Sequence, residues 1–217
     1  MTQAVLFDLD GTFADTAPDL AAALNHVRAT RDLPPLPLQV LRPQASHGSA
    51  GLLKTGMGVT AESPDFQVLR DIFLAHYTDN ICVHTKLFDG MAELIATLES
   101  RDIMWGIVTN KPHRFTLPLM QALGYAERAA CLVSGDTCDH AKPHPAPMRK
   151  ACELVHVTPE QCLYLGDDRR DMQAANAVHM RGIIAQYGYV SEDVSTVNWQ
   201  AYGSVDAPVE LLHFLLP

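Results

Sequence analysis

The sequence predicts an α/β fold: a mainly parallel sheet with helices on both faces, carrying a small all-helical insert after its first strand. Three observations lead there. Short apolar runs bounded by polar residues or glycine recur along the 217 residues. Segments of helical period separate those runs. Between residues 16 and 83 the alternation stops and only helical patterns remain.

The apolar runs lie at 4–7, 103–108, 131–133, 162–165 and 182–185. Each is too short for a helix and too uniformly apolar for a half-exposed strand, so each is expected as a strand buried on both faces. Helical periods fall at 91–98, 116–123, 147–154 and 170–178, between or after the strands. A strand–helix–strand order of this kind gives parallel neighbours. In the insert, Pro18 stands near the start of a first helix with apolar positions at Leu20, Leu24 and Val27. Its last helix is expected to open at Ser63-Pro64, a cap followed by a first-turn proline, and to run through Phe66, Leu69, Phe73 and Tyr77. Leu33-Pro-Pro-Leu-Pro-Leu38 reads as a stiff connector between them. The division expected is a core of 1–15 with 84–217 and a helical unit of 16–83. The apolar end at 211–216 is expected to pack as a last helix.

Composition narrows the function classes. Hydrophobic residues at 47% and charged residues at 19% are those of an ordinary globular chain. A formal net charge of −9 with no basic face excludes a main role in neutralising nucleic-acid phosphates. The five cysteines are odd in number and form no C-x-x-C pair, which argues against a disulfide framework or a zinc site and fits a reducing cytoplasm. The opening MTQAVLFDLD carries no basic leader, and no stretch approaches the ~18 apolar residues of a membrane span. A cytoplasmic protein with no nucleic-acid or membrane partner is expected.

Four polar clusters then fall at four strand ends. Asp8-Leu-Asp-Gly-Thr12 follows the first strand, and side-chain alternation sends Asp8 and Asp10 to one side, with Gly11 permitting a tight turn. Two carboxylates in one site repel unless a cation or a shared proton offsets them, and a hard divalent cation is the natural remedy. Taken alone, a carboxylate-rich turn explains the motif as well. Thr109 and Asn110 end the second strand, where they can donate to a phosphate oxygen near a helix start or simply cap that helix. Lys142 stands before three prolines in Lys142-Pro-His-Pro-Ala-Pro147, either as a surface charge or as a cation held rigidly. The fourth cluster is Gly166-Asp-Asp168 with Asp171, a second group of carboxylates at a strand end. Ligands of open parallel sheets bind outside the carboxyl ends of the strands, so the four clusters converge on one crevice.

Asp8-Leu-Asp-Gly-Thr12, Val108-Thr-Asn-Lys-Pro112, Lys142-Pro-His-Pro and Gly166-Asp-Asp-x-x-Asp171, in this order and over nearly the whole chain, resemble the haloacid dehalogenase superfamily of phosphohydrolases. The resemblance implies a Rossmann-like core, with the insert similar to that family's small helical cap. It implies Asp8 as nucleophile and Asp10 as acid and base. Thr109, Asn110 and Lys142 would bind the phosphoryl group, and Asp8, the carbonyl of Asp10, and Asp167 would bind Mg²⁺, with Asp168 and Asp171 in support. How the three later aspartates share these roles is left open by the motif. Asp10 matters within the superfamily, because the dehalogenase branch lacks it, so a phosphatase or a phosphomutase is implied. A non-catalytic sensor of a phosphorylated ligand has no use for Asp10.

The substrate expected is a small phosphorylated metabolite, a sugar or sugar acid. Similar stretches such as Leu33-Pro-Pro-Leu-Pro, His84-Thr-Lys-Leu-Phe-Asp-Gly-Met91 and Tyr187-Gly-Tyr189 favour N-acetylmuramic acid 6-phosphate, with 2-phosphoglycolate as the alternative. In the insert, Ser46, His47 and Gly48 are candidates for a substrate-facing loop, or for an ordinary interhelical turn. Three positions depart from the family pattern. Phe13 and Ala14 stand where leucine and a larger aliphatic are commoner, and His179 where a glycine usually follows a helix.

Overall fold

The computed structural model describes residues 1–190 and 195–215. Strand β1 (Ala4–Phe7) leads into a tight turn and a short strand β2 (Ala14–Asp15). Helices α1 (Ala17–Ala29), α2 (Leu38–Leu41), α3 (Gly48–Met57) and α4 (Phe66–Asp79) follow, then β3 (Lys86–Leu87) and helix α5 (Met91–Ser100). The chain continues through β4 (Met104–Val108), α6 (His113–Ala122), β5 (Cys131–Val133), α7 (Ala146–Val155), β6 (Cys162–Gly166), α8 (Arg169–Asn176), β7 (Arg181–Ala185) and β8 (Gly203–Val205). Strands β2 and β3 pair as a ribbon. The other six form one sheet in the order β5-β4-β1-β6-β7-β8, every neighbour parallel.

That order places β1 between β4 and β6, with Phe7 beside both Ile107 and Leu165. All four β1 side chains are fully buried, which is what a central strand covered on both faces requires. The carboxyl ends of β1, β4 and β6 are therefore adjacent. The residues that follow each strand meet there because the register aligns the strands' last residues. Strand β8 lacked an apolar signature because it is a three-residue edge strand with Ser204 exposed. The expected last helix is a 3₁₀ helix over Pro208–Phe214 with Leu211 buried; Leu216 lies outside the described residues.

The chain separates into two compact units, Met1–Ala14 with Leu87–Pro217, and Asp15–Lys86. In the smaller unit α1 buries Leu20, Leu24 and Val27, one stripe of a helical face. Gly56 of α3 lets that helix lie against α1, because a Cβ there would stand 2.4 Å from Leu24 Cδ2. Asp19 is 2% exposed and accepts hydrogen bonds from the backbone amides of Val83, His84 and Thr85 and from the Thr85 hydroxyl. It thus ties the start of α1 to the segment that leaves the unit. The last helix begins later than the Ser63-Pro64 signature suggested, at Phe66 with Asp65 as its N-cap. Ser63 is committed to an earlier turn, its hydroxyl accepting from the Thr60 amide at 3.1 Å.

Two of the three departures from the family pattern, Phe13 and His179, have a local explanation. Phe13 is fully buried, stacks on Trp105 with ring centroids 5.6 Å apart, and meets Phe7 and Tyr125 edge-on. His179 has φ 59°, the left-handed conformation a glycine would adopt more readily, in the turn after α8.

Candidate active site at the strand ends

The turn after β1 is built on Gly11, whose φ of 83° suits glycine. Its second constraint is space, since a Cβ there would lie 2.2 Å from Asp167 Oδ2. The turn is closed by Gly11 N–H to Ala14 O and by Ala14 N–H to Leu9 O. Asp8 is anchored through its own amide to Leu165 O at 2.9 Å, so the end of β1 and the end of β6 move as one.

Lys142 enters from the loop before α7. Its ammonium lies 2.8 Å from Val108 O, 2.7 Å from Tyr164 Oη, 2.7 Å from Asp171 Oδ1 and 2.9 Å from Asp8 Oδ1. An ammonium has three protons, and the three nearer acceptors take them. Asp8 Oδ1 is left as an ion-pair partner with no hydrogen bond of its own. Burial works against the charge of Lys142, but Asp171 and Asp8 outweigh it and hold the pKa above the usual lysine value. The Asp8 pKa is raised as well, here against its charged form: burial pushes it to about 6, reinforced by Asp171 and Asp10 and only partly opposed by Lys142.

Asp167 accepts from the Thr12 hydroxyl at 2.9 Å and from the Tyr189 amide at 3.0 Å. Burial, then the charges of Asp8 and Asp171, push its pKa well above the carboxylate range. Asp168 is the N-cap of α8, accepting from the Arg170 amide and pairing with the Arg170 guanidinium at 2.7 Å. Asp171 closes the capping box by accepting the Asp168 amide with Oδ2, while its Oδ1 faces Lys142 and Tyr164. Three neighbouring aspartates thus have three environments: Asp167 accepts from Thr12 and the Tyr189 amide, Asp168 from Arg170, and Asp171 from the Asp168 amide, Lys142 and Tyr164.

Buried ligand oxygens of Asp8, Asp167 and Asp171 lie within 4.8 Å of one another. Adding Asp10, four carboxylates face two ammonium groups, those of Lys142 and Lys111, an excess of two negative charges when all are ionised. The residues present fit a hard cation: the donors are all oxygens, Asp8 Oδ1 is buried without a hydrogen bond, and the local charge is negative.

The end of β4 supplies Thr109 and Asn110. Thr109 is 2% exposed, and its Oγ accepts the Lys111 amide at 3.1 Å, which leaves the hydroxyl proton to donate elsewhere. Asn110 bonds the Lys142 backbone through both ends of its amide, so it also positions that lysine. Sequence reasoning missed several neighbours. Lys111 meets both oxygens of Asp10 at 2.8 and 3.0 Å, Tyr164 sits among Lys142, Val108 and Asp171, and Tyr187 donates to Thr12 O at 3.0 Å. Lys111 had a signal in its place directly after Thr109-Asn110; Tyr164 was hidden by reading as one more apolar strand residue.

Ser46, His47 and Gly48 belong to the other unit. They are not a free loop: Ser46 and His47 end a 3₁₀ helix over Arg42–His47 and Gly48 opens α3. Gly48 has φ 59° and ψ −155°, a conformation reserved almost wholly for glycine. His140 and His144 do not assemble a metal pair with a third ligand among the described residues, and His144 Nδ1 accepts the Ala146 amide at the start of α7.

A parallel sheet with a helical insert after its first strand, and with carboxylates and a buried lysine at its strand ends, defines a class of hydrolase. The model of the haloacid dehalogenase-like hydrolase family matches residues 5–185, and the chain belongs to that family. The chain is 41% identical to N-acetylmuramic acid 6-phosphate phosphatase of Pseudomonas putida over 209 residues, 96% of this chain and 94% of that one. It is 39% identical to phosphoglycolate phosphatase of Xanthomonas campestris pv. campestris, also over 209 residues, with the same 96% and 94% coverage. Among solved structures, a predicted phosphoglycolate phosphatase from Haemophilus somnus superposes with a TM-score of 0.87 over 99% of this chain and 98% of that one. At 23% identity that likeness speaks to the fold alone. No helix among the described residues is long and apolar enough to cross a membrane.

Proposed function

We propose that this chain is a Mg²⁺-dependent phosphoric monoester hydrolase that acts through an aspartyl phosphate on Asp8, with N-acetylmuramic acid 6-phosphate as its substrate. The observation that carries the chemistry is the buried contact of Lys142 with Asp8 beside Asp167. Such an array attracts a cation and a phosphate together, and few other reactions need it.

Asp8, the carbonyl of Asp10, and Asp167 would hold Mg²⁺, with Asp168 and Asp171 supporting through the capping box and Lys142. Bound there, Mg²⁺ offsets the repulsion between an anionic nucleophile and an anionic phosphate. Asp8 attacks phosphorus through a carboxylate oxygen. Asp10 gives its proton to the leaving oxygen, and the alcohol departs. Thr109 donates its hydroxyl proton to one phosphoryl oxygen, and Lys142 balances the charge that builds on the others. Asn110 offers the amide N–H not used on the Lys142 carbonyl. Asp10, now a carboxylate, takes a proton from water as it attacks the aspartyl phosphate, which returns Asp8 and releases phosphate. A phosphomutase must shield the same intermediate from water, and a sensor gains nothing from Asp10.

The inserted unit is read as the cap that selects the substrate, with Ser46, His47 and Gly48 as its candidate residues. N-Acetylmuramic acid 6-phosphate is supported by a 41% identical relative named for it, and would place the protein in recycling of cell-wall sugar. Phosphoglycolate is the second reading, supported by a 39% identical relative. Five free cysteines are in keeping with a cytoplasmic setting.

Phosphate release from N-acetylmuramic acid 6-phosphate, 2-phosphoglycolate and several hexose phosphates tests the reading, with Mg²⁺ or chelator and with Asp8→Asn. The expected result is Mg²⁺-dependent turnover, highest on the amino-sugar acid and abolished in the variant. Full activity of Asp8→Asn would remove the nucleophile, and preference for 2-phosphoglycolate would transfer the substrate assignment.

A further inference from the structure

Lys111 is the second buried ammonium of the site and has no part in the reading above. It directly precedes Pro112, the N-cap of α6, where a cation faces the positive end of the helix dipole. A lysine so placed reaches water readily by extending its stem. Instead its side chain is only 7% exposed and its ammonium meets both oxygens of Asp10, itself 13% exposed, at 2.8 and 3.0 Å. Burying an ion pair against an opposing dipole is a poor way to gain stability, because desolvation consumes most of the attraction.

The backbone of Lys111 is equally constrained. Its amide donates to Thr109 Oγ, and its carbonyl accepts from the Gly135 amide and from the Thr116 hydroxyl. One residue therefore links the candidate phosphate-binding hydroxyl to the candidate acid and base. Each of the paired carboxylates has its own lysine: Lys142 for Asp8 from the loop before α7, Lys111 for Asp10 from the end of β4.

We propose that Lys111 is a positioning residue for Asp10, holding its side chain toward the leaving oxygen: the ammonium meets both oxygens of the carboxylate and keeps one of them when the other carries the proton. The inference rests on the phosphatase reading above. In that reaction Asp10 must face one point in space twice, first toward the leaving alcohol and then toward the attacking water. A carboxyl group with a free χ2 would sample other directions, and misplacement by about 1 Å at a reacting centre costs on the order of 10²-fold in rate.

The test compares native protein, Lys111→Met and Lys111→Arg on N-acetylmuramic acid 6-phosphate and on p-nitrophenyl phosphate, all with saturating Mg²⁺. The sugar alkoxide needs a proton to leave; p-nitrophenolate does not. For Lys111→Met, kcat/KM on the sugar phosphate should fall about tenfold to hundredfold, and on the aryl phosphate less than about threefold. Lys111→Arg, which can fork the same carboxylate, should recover most of the loss. An equal fall on both substrates, or no fall on the sugar phosphate, overturns the proposal. Should Lys111→Met not fold, Lys111→Arg and Lys111→Gln carry the same comparison. If the native protein cleaves neither substrate, the phosphatase reading falls and this inference with it; if the native protein is active and only Lys111→Met is indifferent, the inference alone falls.

Discussion

Asn110 holds Lys142 by its backbone: Asn110 Oδ1 accepts the Lys142 N–H at 2.9 Å and Asn110 Nδ2 donates to the Lys142 carbonyl at 2.9 Å. The pair closes a ring of the kind two paired strands make, here with a side chain in place of one strand. It joins the end of β4 to the loop before α7, and so fixes the base of the Lys142 side chain while Asp171, Tyr164 and Val108 O fix its tip. The Lys142–Pro143 peptide bond in that loop is cis.

Asn110→Ala should therefore impair Lys142 without touching it. Loss of two partly buried hydrogen bonds is expected to cost about 1–3 kcal/mol of stability, read from urea unfolding. Freed at its base, Lys142 should serve the phosphoryl group badly, and kcat should fall about tenfold or more. Unchanged kcat in a variant of reduced stability would confine Asn110 to holding the loop.

An ionised Asp8 costs stability at neutral pH when no cation is bound. Folding raises its pKa from 3.8 to about 6, so the folded chain holds this proton more tightly than the unfolded chain. Stability from Asp8 is then full below about pH 4 and lost as pH rises through about 6, a difference of about 3 kcal/mol. In chelator at pH 7.5, Asp8→Asn should melt higher than the native protein by about 6–12 °C, and the gap should close near pH 4. Added Mg²⁺ should raise the native midpoint and leave that of the variant in place. Calorimetry with and without Mg²⁺ checks both arms; a variant that melts lower at pH 7.5 would contradict the assignment of burial as the dominant cause.

Five of the six strands of the main sheet were legible because a strand covered on both faces must be largely apolar, and β1, β4, β5, β6 and, after Arg181, β7 are. Edge strand β8 and the ribbon of β2 and β3 bury too little to carry that mark. At the site, strand-end carboxylates stood out because acidic pairs after apolar runs are costly without a purpose. Partners chosen by geometry did not. Nothing in Lys111 says that it turns inward to Asp10, and Tyr164 differs from its apolar neighbours only by a hydroxyl that finds Lys142 across 22 positions of sequence. The different surroundings of Asp167, Asp168 and Asp171 became visible only with the start of α8, since the capping box takes up the second and third of them.

Phe13 tests whether packing beneath the site can change without changing the site. Its ring lies among Phe7, Trp105 and Tyr125, all in the same unit. Phe13→Leu removes an aromatic stack and leaves a cavity, so a loss of about 1–3 kcal/mol is expected. Its neighbour Thr12 is held separately by Asp167 and Tyr187, so kcat should stay within about twofold at temperatures where the variant is folded. A large fall in kcat with unchanged stability would mean that the ring transmits strain to the Asp8 turn.

Gly188 presses on the candidate metal ligand from behind. A Cβ there would stand 2.3 Å from Gly11 O and 2.5 Å from Asp167 Cβ, distances no real side chain tolerates. Gly11 makes the reciprocal demand, but its positive φ would confuse any substitution with backbone strain. Gly188 has no such conflict, so Gly188→Ala is a steric wedge alone. Because Asp167 is held by Thr12 on one oxygen and by the Tyr189 amide on the other, it cannot retreat without losing a bond. The wedge should displace Asp167 and the Gly11 turn by roughly 0.5–1 Å, and Mg²⁺, which demands near-ideal octahedral distances, should bind at least about tenfold more weakly. Because Ca²⁺ accepts looser geometry, its affinity should fall less. Isothermal titration of both ions separates the outcomes: a selective loss of Mg²⁺ places Asp167 in the coordination sphere, whereas equal binding of both ions by native and variant protein would put the ion elsewhere.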